Sequence, residues 1–578
     1  WKFSADTGGT FTDCLAESPD GTIHRKKVLS SGRLRTTIAS IRGDVVKTGN
    51  PGVPKLPFLI GKPVWIGGIP AGKITEVTSS HLALSDVPPE AREGDILEID
   101  SGVEAPVLAM KLILEEKNLD QPDLSFRLGT TKGTNTLLEK KGAPVAMFLT
   151  EGFRDLMVIR DQKRPELFEQ HVHRQPPLYK QVYSISGRID TDGQEVTPLD
   201  TDALMEAAGE AIAKGCTAAA ICLLNSWKNP AHEEQAVEIL EQAGFAVVNA
   251  SSQVRPLIKY LDRADTVLVN ATLSPVMDAY LNNVESGIQG QPLWIMTSAG
   301  GLVSRDRFHA VDSLVSGPAG GVLGAVEAGR RAGMDRIISL DMGGTSTDVS
   351  RWKEQINMRQ HVRVGQARIL TPAMPIETVA AGGGSICGFR DGRLFVGPES
   401  AGADPGPASY GAGGPLCLTD IHLLLGRIDI KAFSIPIRIE DAQARLQEVM
   451  EAAGENDWRA RAEGFLTIAT DRMAHAIRQV TLRDGEDPSR YGLVAFGGAG
   501  GLHACRVAQE LGIKKILFPE EAGLLSATGI HYAPREAVID EQLISEARAK
   551  KEILDKQIEA GSRIDTGGGN LLELDDEG

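Results

Sequence analysis

The chain has 578 residues, a formal net charge of −16, and hydrophobic and charged fractions of 42% and 24%. That length predicts several structural units, because one domain usually has about 100–200 residues. The acidic balance argues against a partner that is a nucleic acid or an anionic membrane, and no apolar run reaches the roughly 18 residues of a membrane helix. Six scattered cysteines without a CxxC pair predict a reduced, cytoplasmic protein.

The first elements are predicted to be β-strands around a glycine-rich loop. An extended start at residues 1–5 leads into the sequence DTGGTFTD at residues 6–13, and two more strand-like segments follow. This order predicts an antiparallel meander with the loop at its first turn. Short Val/Ile runs among Pro and Gly then predict a β-rich insertion at about residues 50–125. Residues 134–141 are predicted to begin a helix.

From about residue 200 the sequence alternates between helical and strand patterns, which predicts a parallel α/β sheet. A predicted strand at residues 336–340 leads into a second glycine-rich loop, DMGGTSTD, at residues 341–348. Residues 380–414 are dense in Gly, Pro and Ser and are predicted to be a loop. After about residue 535 the pattern fades, which predicts a linker or a frayed terminus.

The two glycine-rich loops match at six of eight positions, and each follows an apolar strand. Glycines let the backbone approach phosphate oxygens, and the N–H groups then point at the anion. One Gly-Gly-Thr loop is as consistent with a simple tight turn as with a phosphate site, but two copies with the same spacing favour ATP phosphates as the ligand. We expect Asp6 and Asp341 to orient Mg²⁺ through water, because hard cations prefer carboxylate oxygens. Asp13 and Asp348 are predicted either to act as a base or to cap their own loops.

A third glycine-rich segment, FGGAGGLH at residues 496–503, lies between a predicted strand and a helix that begins near His503. Its small residues favour contact with adenosine near the helix N-terminus, or only close strand–helix packing. By contrast, residues 67–74 only imitate a P-loop, because Ile74 replaces the metal-binding hydroxyl and Pro70 interrupts the loop. The predicted ATP-binding residues are Gly8, Gly9, Thr10, Phe11, Thr12, Gly343, Gly344, Thr345, Ser346, Gly497, Gly498, Ala499 and Gly500.

The order of the three loops resembles that of the actin, sugar-kinase and heat-shock ATPase superfamily. The resemblance implies an α/β, two-lobed actin-like ATPase fold with duplicated mixed-sheet domains. Further segments narrow it to the hydantoinase A/5-oxoprolinase family over residues 3 to about 535, with residues 101–109 most similar to the ATP-dependent 5-oxoprolinase branch. These segments are GTTKGTNTLLEKKGA at 129–143, TEGFRD at 150–155, RPELF at 164–168, NPAHE at 229–233, SGPAGG at 316–321, AAGGGS at 380–385 and VGPESAGADPGPASYG at 396–411.

This chain departs from the family pattern at Lys132-Gly133, where Val-Ala is commoner, and at Ser409, where many members carry Cys. The resemblance implies an N-terminal region at residues 1–185 and a core at residues 186–535. Residues 536–578 are then expected to be the truncated or frayed start of a C-terminal region.

The resemblance also implies a reaction, the ATP-dependent opening of a cyclic amide such as 5-oxoproline or a hydantoin. This A-type half phosphorylates the amide oxygen, and a B-type subunit or fused half completes ring opening, so an oligomer is expected. One alternative is a subunit similar to the acetone carboxylase β chain, which phosphorylates a ketone. Another is a regulatory or chaperone-like ATPase. Residues 129–168 and 380–411 argue against the regulatory alternative, and residues 101–109 and 164–168 favour the amide over the ketone.

Substrate contacts are predicted in two polar segments. Thr131, Thr134 and Asn135 lie in a glycine-flanked turn, where helix capping is the alternative role. A second group of candidates lies in the long Gly/Pro segment, because long loops are often functional. This group consists of Ser385, Glu399, Asp404 and Tyr410. For the carboxylates Glu399 and Asp404, bracing of the loop is the alternative role. His232 and His503 are candidate proton carriers or ligands, or structural histidines near helix starts.

Overall fold

The computed structural model describes residues 1–49, 53, 56–78, 81–119, 122–162, 176–354, 358–364, 367–433, 436–454, 456–536, 538–539 and 563–564. The RPELF segment at 164–168 and most of the predicted C-terminal region lie outside these residues. No helix of the described part is long and apolar enough to cross a bilayer.

The chain divides into two compact units. Unit one contains residues 1–317, 359–373 and 533–578, and unit two contains residues 318–358 and 374–532. The boundary at 317/318 reflects packing, because one buried core in unit one contains residues from Phe3 to Leu314 together with Ile369.

The helices and strands are as follows. The helices are α1 Ala105–Glu116, α2 Lys132–Leu138, α3 Leu156–Ile159, α4 Thr201–Ala213, α5 Ala231–Ala243, α6 Ser251–Val254, α7 Tyr260–Gly287, α8 Ser316–Arg331, α9 Leu418–Leu424, α10 Ile439–Ala453, α11 Trp458–Leu482, α12 Gly497–Leu511 and α13 Leu525–Tyr532. The strands are β1 Lys2–Thr7, β2 Phe11–Glu17, β3 Ile23–Leu29, β4 Arg33–Arg42, β5 Val45–Thr48, β6 Pro63–Ile66, β7 Ile69–Val77, β8 His81–Leu84, β9 Ile96–Asp100, β10 Ser125–Thr130, β11 Val145–Thr150, β12 Gln181–Ile185, β13 Arg188–Ile189, β14 Glu195–Thr197, β15 Ala218–Cys222, β16 Val247–Ala250, β17 Leu293–Met296, β18 Leu302–Ser304, β19 Arg336–Met342, β20 Thr347–Lys353, β21 Arg359–Val364, β22 Ala367–Ala373, β23 Ile376–Val379, β24 Ser385–Arg390, β25 Arg393–Ser400, β26 Gly492–Phe496, β27 Lys515–Leu517, β28 Val538–Ile539 and β29 Arg563–Ile564.

Each unit contains a mixed sheet of the same design. In unit one the order is β18-β17-β10-β1-β2-β3, with β1 antiparallel to β2 and parallel to β10. In unit two the order is β23-β20-β19-β26-β27, with β19 antiparallel to β20 and parallel to β26. Each glycine-rich loop joins the two antiparallel strands. The predicted α/β class and the duplication of mixed sheets are therefore confirmed.

A second sheet of unit one is entirely parallel, in the order β12-β11-β15-β16. Its central strand β15 is buried at every position, as expected when helices cover both faces of a sheet. The flanking helices have clear end signals. Asp200 caps α4 by accepting a hydrogen bond from the Ala203 N–H, and α5 ends at Gly244 with a φ of 110°. The alternating pattern after residue 200 thus correctly predicts strands β15 and β16 of this parallel sheet, while β11 and β12 precede that pattern.

The β-rich insertion is a closed barrel of strands β4-β5-β8-β7-β6-β9. It occupies Arg33 to Asp100 instead of the predicted 50–125, because β4 alternates exposed residues with buried ones and lacks a long apolar run. The P-loop imitation at residues 67–74 forms the β6–β7 hairpin of this barrel, where Gly67 and Gly68 adopt φ values of 58° and 83°. A P-loop requires a strand followed by a helix, so this segment is correctly excluded.

Three local predictions differ from the structure. Residues 385–400 form the hairpin β24–β25 rather than loop, since a tight turn at Asp391 and Gly392 reverses two strand-forming segments. Thr134 and Asn135 lie inside α2 and are not its caps. Helix α12 begins at Gly497 rather than near His503, so the third glycine-rich segment forms its first turn.

Small residues set the packing of α13 in unit two. A Cβ placed on Gly529 would lie 1.8 Å from the Gly320 carbonyl oxygen and 2.6 Å from the Gly324 nitrogen. These two glycines belong to α8, and no Cβ fits at such distances without backbone movement.

We therefore expect Gly529→Ala to lower the free energy of unfolding by about 2–4 kcal/mol, through forced separation of the two helices. The matched control is Gly209→Ala in α4, where a Cβ meets nothing within 4 Å. That change should be neutral or stabilise by up to about 1 kcal/mol. Urea unfolding followed by circular dichroism measures both, and equal stability of the two variants would contradict this packing.

Candidate functional site

The loop of unit one is a tight hairpin with an exposed tip. The Gly8 N–H donates to the Phe11 carbonyl across 3.1 Å. Gly9 and Thr10 are exposed, and the Phe11 side chain is half exposed. Thr12 is buried, and its hydroxyl lies 3.0 Å from that of Ser30. The tip residues therefore present backbone N–H groups to solvent, while Thr12 anchors the loop.

Two of the predicted substrate residues border this loop. The N–H and the hydroxyl of Thr131 both donate to the Thr7 carbonyl, at 2.9 and 3.2 Å. The Asn135 amide nitrogen donates to the Thr131 hydroxyl at 3.3 Å, and a Cβ on Gly9 would lie 3.6 Å from that nitrogen. The Thr134 hydroxyl instead donates to the Leu314 carbonyl. Thr131 and Asn135 are thus next to the loop, and Thr134 is held elsewhere.

A third segment reaches the same edge of unit one. The Ser316 hydroxyl donates to the Thr130 carbonyl at 3.0 Å. A Cβ on Gly317 would lie 3.5 Å from the Asp6 Oδ1 atom and 3.2 Å from the Thr131 methyl group. Sequence reasoning used this Ser-Gly-Pro segment only as a family motif. The signal for its role is the pair of small residues at the start of a helix, which lets one backbone approach another.

The loop of unit two repeats the same hairpin. The Gly343 N–H donates to the Ser346 carbonyl at 3.1 Å, and Gly343, Gly344 and Thr345 are exposed. Thr347 is buried, and its hydroxyl donates to the Ala381 carbonyl at 2.5 Å. The sequence match between the loops is therefore a structural match as well.

A glycine segment, residues 382–384, packs against the loop of unit two and hydrogen-bonds to it. The N–H groups of Gly383 and Gly384 donate to the carbonyls of Gly343 and Gly344, at 3.0 and 2.6 Å. A Cβ on Gly382 would lie 2.6 Å from the Gly344 carbonyl oxygen. The buried Ser385 hydroxyl accepts the Gly382 N–H at 2.8 Å. Ser385 therefore holds this turn.

The third glycine-rich segment packs on the start of the same loop. Gly497 has a φ of 77°, and a Cβ there would lie 2.4 Å from the Asp341 Oδ1 atom. A Cβ on Gly500 would lie 3.4 Å from the Leu340 carbonyl oxygen, while Gly498 is exposed with open space around it. Ala499 is buried. Since the first N–H groups of a helix have no partner within the helix, this N-terminus is suited to an anion or a polar ligand.

Asp13 and Asp348 occupy equivalent places in the two hairpins. In the strand register Asp6 lies opposite Asp13, and Asp341 lies opposite Asp348. Burial raises the pKa of Asp13, opposed by the Lys27 ammonium 2.5 Å away. Burial also raises the pKa of Asp348, opposed by the Thr378 hydroxyl, which donates to it at 2.6 Å. Both carboxylates thus bond to the neighbouring strand.

The carboxylates predicted in the Gly/Pro segment do not brace it. Glu399 and Asp404 are exposed and have no hydrogen-bond or ion-pair partner within the described part of the chain. The bracing carboxylate is the buried Asp420, which accepts the N–H groups of Ala408, Ser409 and Cys417 at 2.8–3.0 Å. Sequence reasoning missed Asp420, because its partners are backbone groups that leave no mark in the sequence. Tyr410 packs its ring on Phe433 at 6.2 Å.

Each of the two predicted histidines contacts another titratable side chain. The His232 Nε2 atom lies 2.9 Å from a Glu195 carboxylate oxygen. The buried His503 Nε2 atom lies 2.9 Å from the Nε2 atom of buried His422. Burial lowers the pKa of His503 to about 4 and that of His422 to about 3, so this pair is neutral near pH 7. The described residues contain no group of three or more side chains placed to hold a metal ion.

The raised pKa of Asp348 gives a prediction about stability. Folding favours its protonated form, so this contribution is complete below the ordinary pKa of 3.8 and is lost as the pH rises through the raised pKa. Asp348→Asn is neutral at every pH. We expect the variant to gain stability relative to the parent chain as the pH rises from 4.5 to 7.5.

The control for this prediction is Asp20→Asn. Hydrogen bonds from Ser18 and Thr22 lower the pKa of the exposed Asp20 to about 2, so its stabilising contribution is complete above the ordinary pKa of 3.8 and is lost only below it. The Asp20→Asn variant should therefore differ from the parent chain by a nearly constant amount between pH 4.5 and 7.5. Urea unfolding across the pH range measures both differences. A difference between Asp348→Asn and the parent chain that is constant or shrinks with rising pH would refute the burial of this charge.

Comparison with known proteins identifies the family. The model of the hydantoinase/oxoprolinase family matches residues 263–537, and that of the hydantoinase/oxoprolinase N-terminal region matches residues 96–244. A 5-oxoprolinase of Pestalotiopsis fici is 38% identical over 76% of this chain and 37% of its own length. The 5-oxoprolinase of Saccharomyces cerevisiae is 35% identical over 71% of this chain and 35% of its own length.

Two solved structures extend the comparison. The crystal structure of the ATP-dependent caprolactamase from Pseudomonas jessenii has a TM-score of 0.71 and 27% identity, and the match covers 97% of this chain and 76% of that one. An acetone carboxylase structure shares the fold, with a TM-score of 0.67 and 21% identity over 92% of this chain and 70% of that one. The chain spans less than two fifths of the two 5-oxoprolinases. From the two family matches and these identities, the chain belongs to the hydantoinase/oxoprolinase family.

Proposed function

We propose that this chain is the ATP-using part of a cyclic amide hydrolase. The observation that carries the proposal is the duplicated hairpin loop, whose exposed glycine tip recurs in both units with the same hydrogen-bond closure. Exposed Gly-Gly-Thr backbone can surround phosphate oxygens closely. The 5-oxoprolinase and caprolactamase names of the relatives support a cyclic amide as the second substrate.

The chemistry explains why ATP is needed. A lactam is stabilised by resonance between its nitrogen and its carbonyl group, so water attacks it slowly. In the proposed reaction the amide oxygen forms a bond to the γ-phosphorus, and the bond from that phosphorus to the bridging oxygen of ADP breaks. A first water then adds to the activated carbon, the ring C–N bond breaks and nitrogen takes a proton, which leaves an acyl phosphate. A second water hydrolyses the acyl phosphate to the free carboxylate and inorganic phosphate. The loops contribute by position and charge stabilisation.

Each predicted loop residue has a role in this proposal. We assign the phosphates to Gly8, Gly9, Thr10, Gly343, Gly344 and Thr345. Phe11, Thr12 and Ser346 shape the two hairpins, while Gly497, Gly498, Ala499 and Gly500 accept the adenosine. The residues fit a magnesium ion, because a carboxylate stands at the entry of each exposed loop tip, as Asp6 and Asp341. When bound, Mg²⁺ supplies positive charge to the phosphates.

Thr131 and Asn135 are proposed to contact the amide substrate, because both border the loop of unit one. Ser385, Glu399 and Asp404 are further candidates on unit two. A B-type subunit or fused half is part of the proposal, since the relatives are much longer and one is named the α subunit of caprolactamase. We also propose that the enzyme is cytoplasmic and oligomeric.

Gly344→Val tests the loop of unit two. A Cβ on Gly344 meets nothing within 4 Å, so the variant should fold, but its side chain occupies the space that the phosphates need. We expect at least tenfold weaker binding of MgATP, or about 1.4 kcal/mol, measured by isothermal titration calorimetry. Lys73→Ala, in the P-loop imitation of the barrel, should bind MgATP like the parent chain. If Gly344→Val binds MgATP as tightly as the parent chain, the loop of unit two is not part of the phosphate site.

The substrate class is tested by triggered ADP release. The chain is mixed with MgATP and its B-type partner, and 5-oxoproline, hydantoin, or acetone with bicarbonate is then added. We expect a cyclic amide to accelerate ADP release, because the amide oxygen is the phosphoryl acceptor. Stimulation only by acetone with bicarbonate would replace the amide by a ketone, and no stimulation by any of the three would reject the proposed reaction.

A further inference from the structure

Unit one contains a cavity of about 190 Å³ apart from the glycine loop. This volume is below the roughly 300–1,000 Å³ of sites for drug-sized ligands, so it suits a small metabolite. Among its lining residues are Ser252, Arg255, Thr297, Arg307, Asp312 and Pro372.

The cavity lies at the edge of the sheet where ligands usually bind. Strands β1, β10 and β17 are parallel neighbours, and Thr297 directly follows the end of β17. The glycine loop follows β1, and Thr131 follows β10. Open α/β sheets bind ligands at the carboxyl ends of their parallel strands. Thr297 therefore belongs to the same sheet edge as the phosphate loop of this unit.

One wall of the cavity is a satisfied buried ion pair. The Arg255 guanidinium donates to the Asp312 carboxylate, and through its Nε atom to the Leu370 carbonyl at 3.1 Å. The Thr371 hydroxyl donates to the same carboxylate at 2.9 Å. These groups cancel each other's charge and are fixed by several bonds, so they shape the cavity without attracting a charged ligand.

Two hydroxyl groups in the cavity lining have unmet hydrogen-bonding capacity. The Thr297 and Ser252 hydroxyl oxygens are buried and have no hydrogen-bond partner among the described residues. Thr297 is only 5% exposed. Buried polar atoms in proteins nearly always have a partner, and an unpartnered one needs a reason. A ligand with a polar group at this place supplies the missing bonds.

Arg307 gives the cavity a positive charge. Its side chain is exposed, and no described acidic residue forms an ion pair with it. Val254, Val303 and Pro372 add an apolar surface to the lining of the cavity. A guanidinium binds a carboxylate through two parallel hydrogen bonds. The lining thus combines a carboxylate receptor, a small apolar surface and two buried hydroxyl groups.

The cavity is connected to the glycine loop by a bonded segment. The N–H and hydroxyl of Ser298 both donate to the Asp312 carbonyl, at 2.7 and 2.8 Å. The Val315 N–H donates to the Ser298 hydroxyl, and the Ser316 hydroxyl donates to the Thr130 carbonyl. This segment continues to Gly317 beside Asp6. One backbone segment therefore borders both the cavity and the loop.

We propose that this cavity binds a small carboxylate whose other end carries a hydrogen-bonding group, with Arg307 holding the carboxylate and the Thr297 and Ser252 hydroxyls holding the other end. The role of this cavity in the reaction rests on the proposed function. In that reaction the cavity selects cyclic amides that carry a carboxylate over uncharged lactams. Binding itself does not require ATP.

The test compares 5-oxoproline with 2-pyrrolidinone, the same ring without its carboxylate, by saturation-transfer NMR titration of the full chain. We expect Arg307→Gln to weaken 5-oxoproline binding at least tenfold and Thr297→Val at least fivefold. 2-Pyrrolidinone should bind the parent chain at least tenfold more weakly than 5-oxoproline, and Arg307→Gln should not change its binding. Arg305→Gln is the matched control, because Arg305 pairs with Asp278 and does not line the cavity.

Three results would overturn the proposal: no binding of 5-oxoproline, equal binding of both rings, or unchanged binding by both Arg307→Gln and Thr297→Val. Thermal unfolding checks that the variants are folded, and Thr297→Val should be at least as stable as the parent because it removes an unpartnered buried hydroxyl. MgATP titration of the same samples separates the two proposals. If the chain binds 5-oxoproline but not MgATP, the proposed cavity site is supported and the proposed ATP reaction is rejected.

Discussion

Close contact between backbones, which only glycine allows, is the constraint on which the loop of unit two depends. Gly382 lies against the Gly344 carbonyl and Gly497 against the Met342 carbonyl, at distances where a Cβ would come within 2.6 and 2.5 Å of those oxygen atoms. Residues 382–384 and the N-terminus of α12 therefore fix the loop through main-chain contacts. A loop held in this way keeps its own N–H groups oriented without side chains that would compete for a phosphate.

The duplication preserves geometry but changes the electrostatics. Asp13 and Asp348 occupy the same register position, yet Asp13 bonds to the Lys27 ammonium and Asp348 to the neutral Thr378 hydroxyl. Burial raises the pKa of both groups, but only Asp13 has a cation that opposes the shift. Of the two, Asp348 is therefore the better candidate to accept a proton, while Asp13 is the better candidate for a fixed negative charge.

The sheet of unit one brings together polar groups from distant parts of the chain. Parallel strands β1, β10 and β17 place the glycine loop, Thr131 and Thr297 at one edge. The segment from Asp312 to Gly317 then follows this edge and bonds to it through Ser298 and Ser316. This arrangement links a cavity with a positively charged rim to the predicted phosphate loop, although Asp6 and Thr297 are 291 positions apart in sequence.

The sequence by itself determined the repeated loops, the alternating α/β region and the family, because each depends on local spacing of Gly, Asp and apolar residues. The bounds of the barrel, the hairpin at 385–400 and the start of α12 were decided by pairing between strands and by backbone packing, which weigh more than local composition. Asp420, the His422–His503 pair and the unpartnered Thr297 hydroxyl could be recognised only in the tertiary structure. Their chemistry depends on burial and on partners far away in the chain, neither of which a local pattern records.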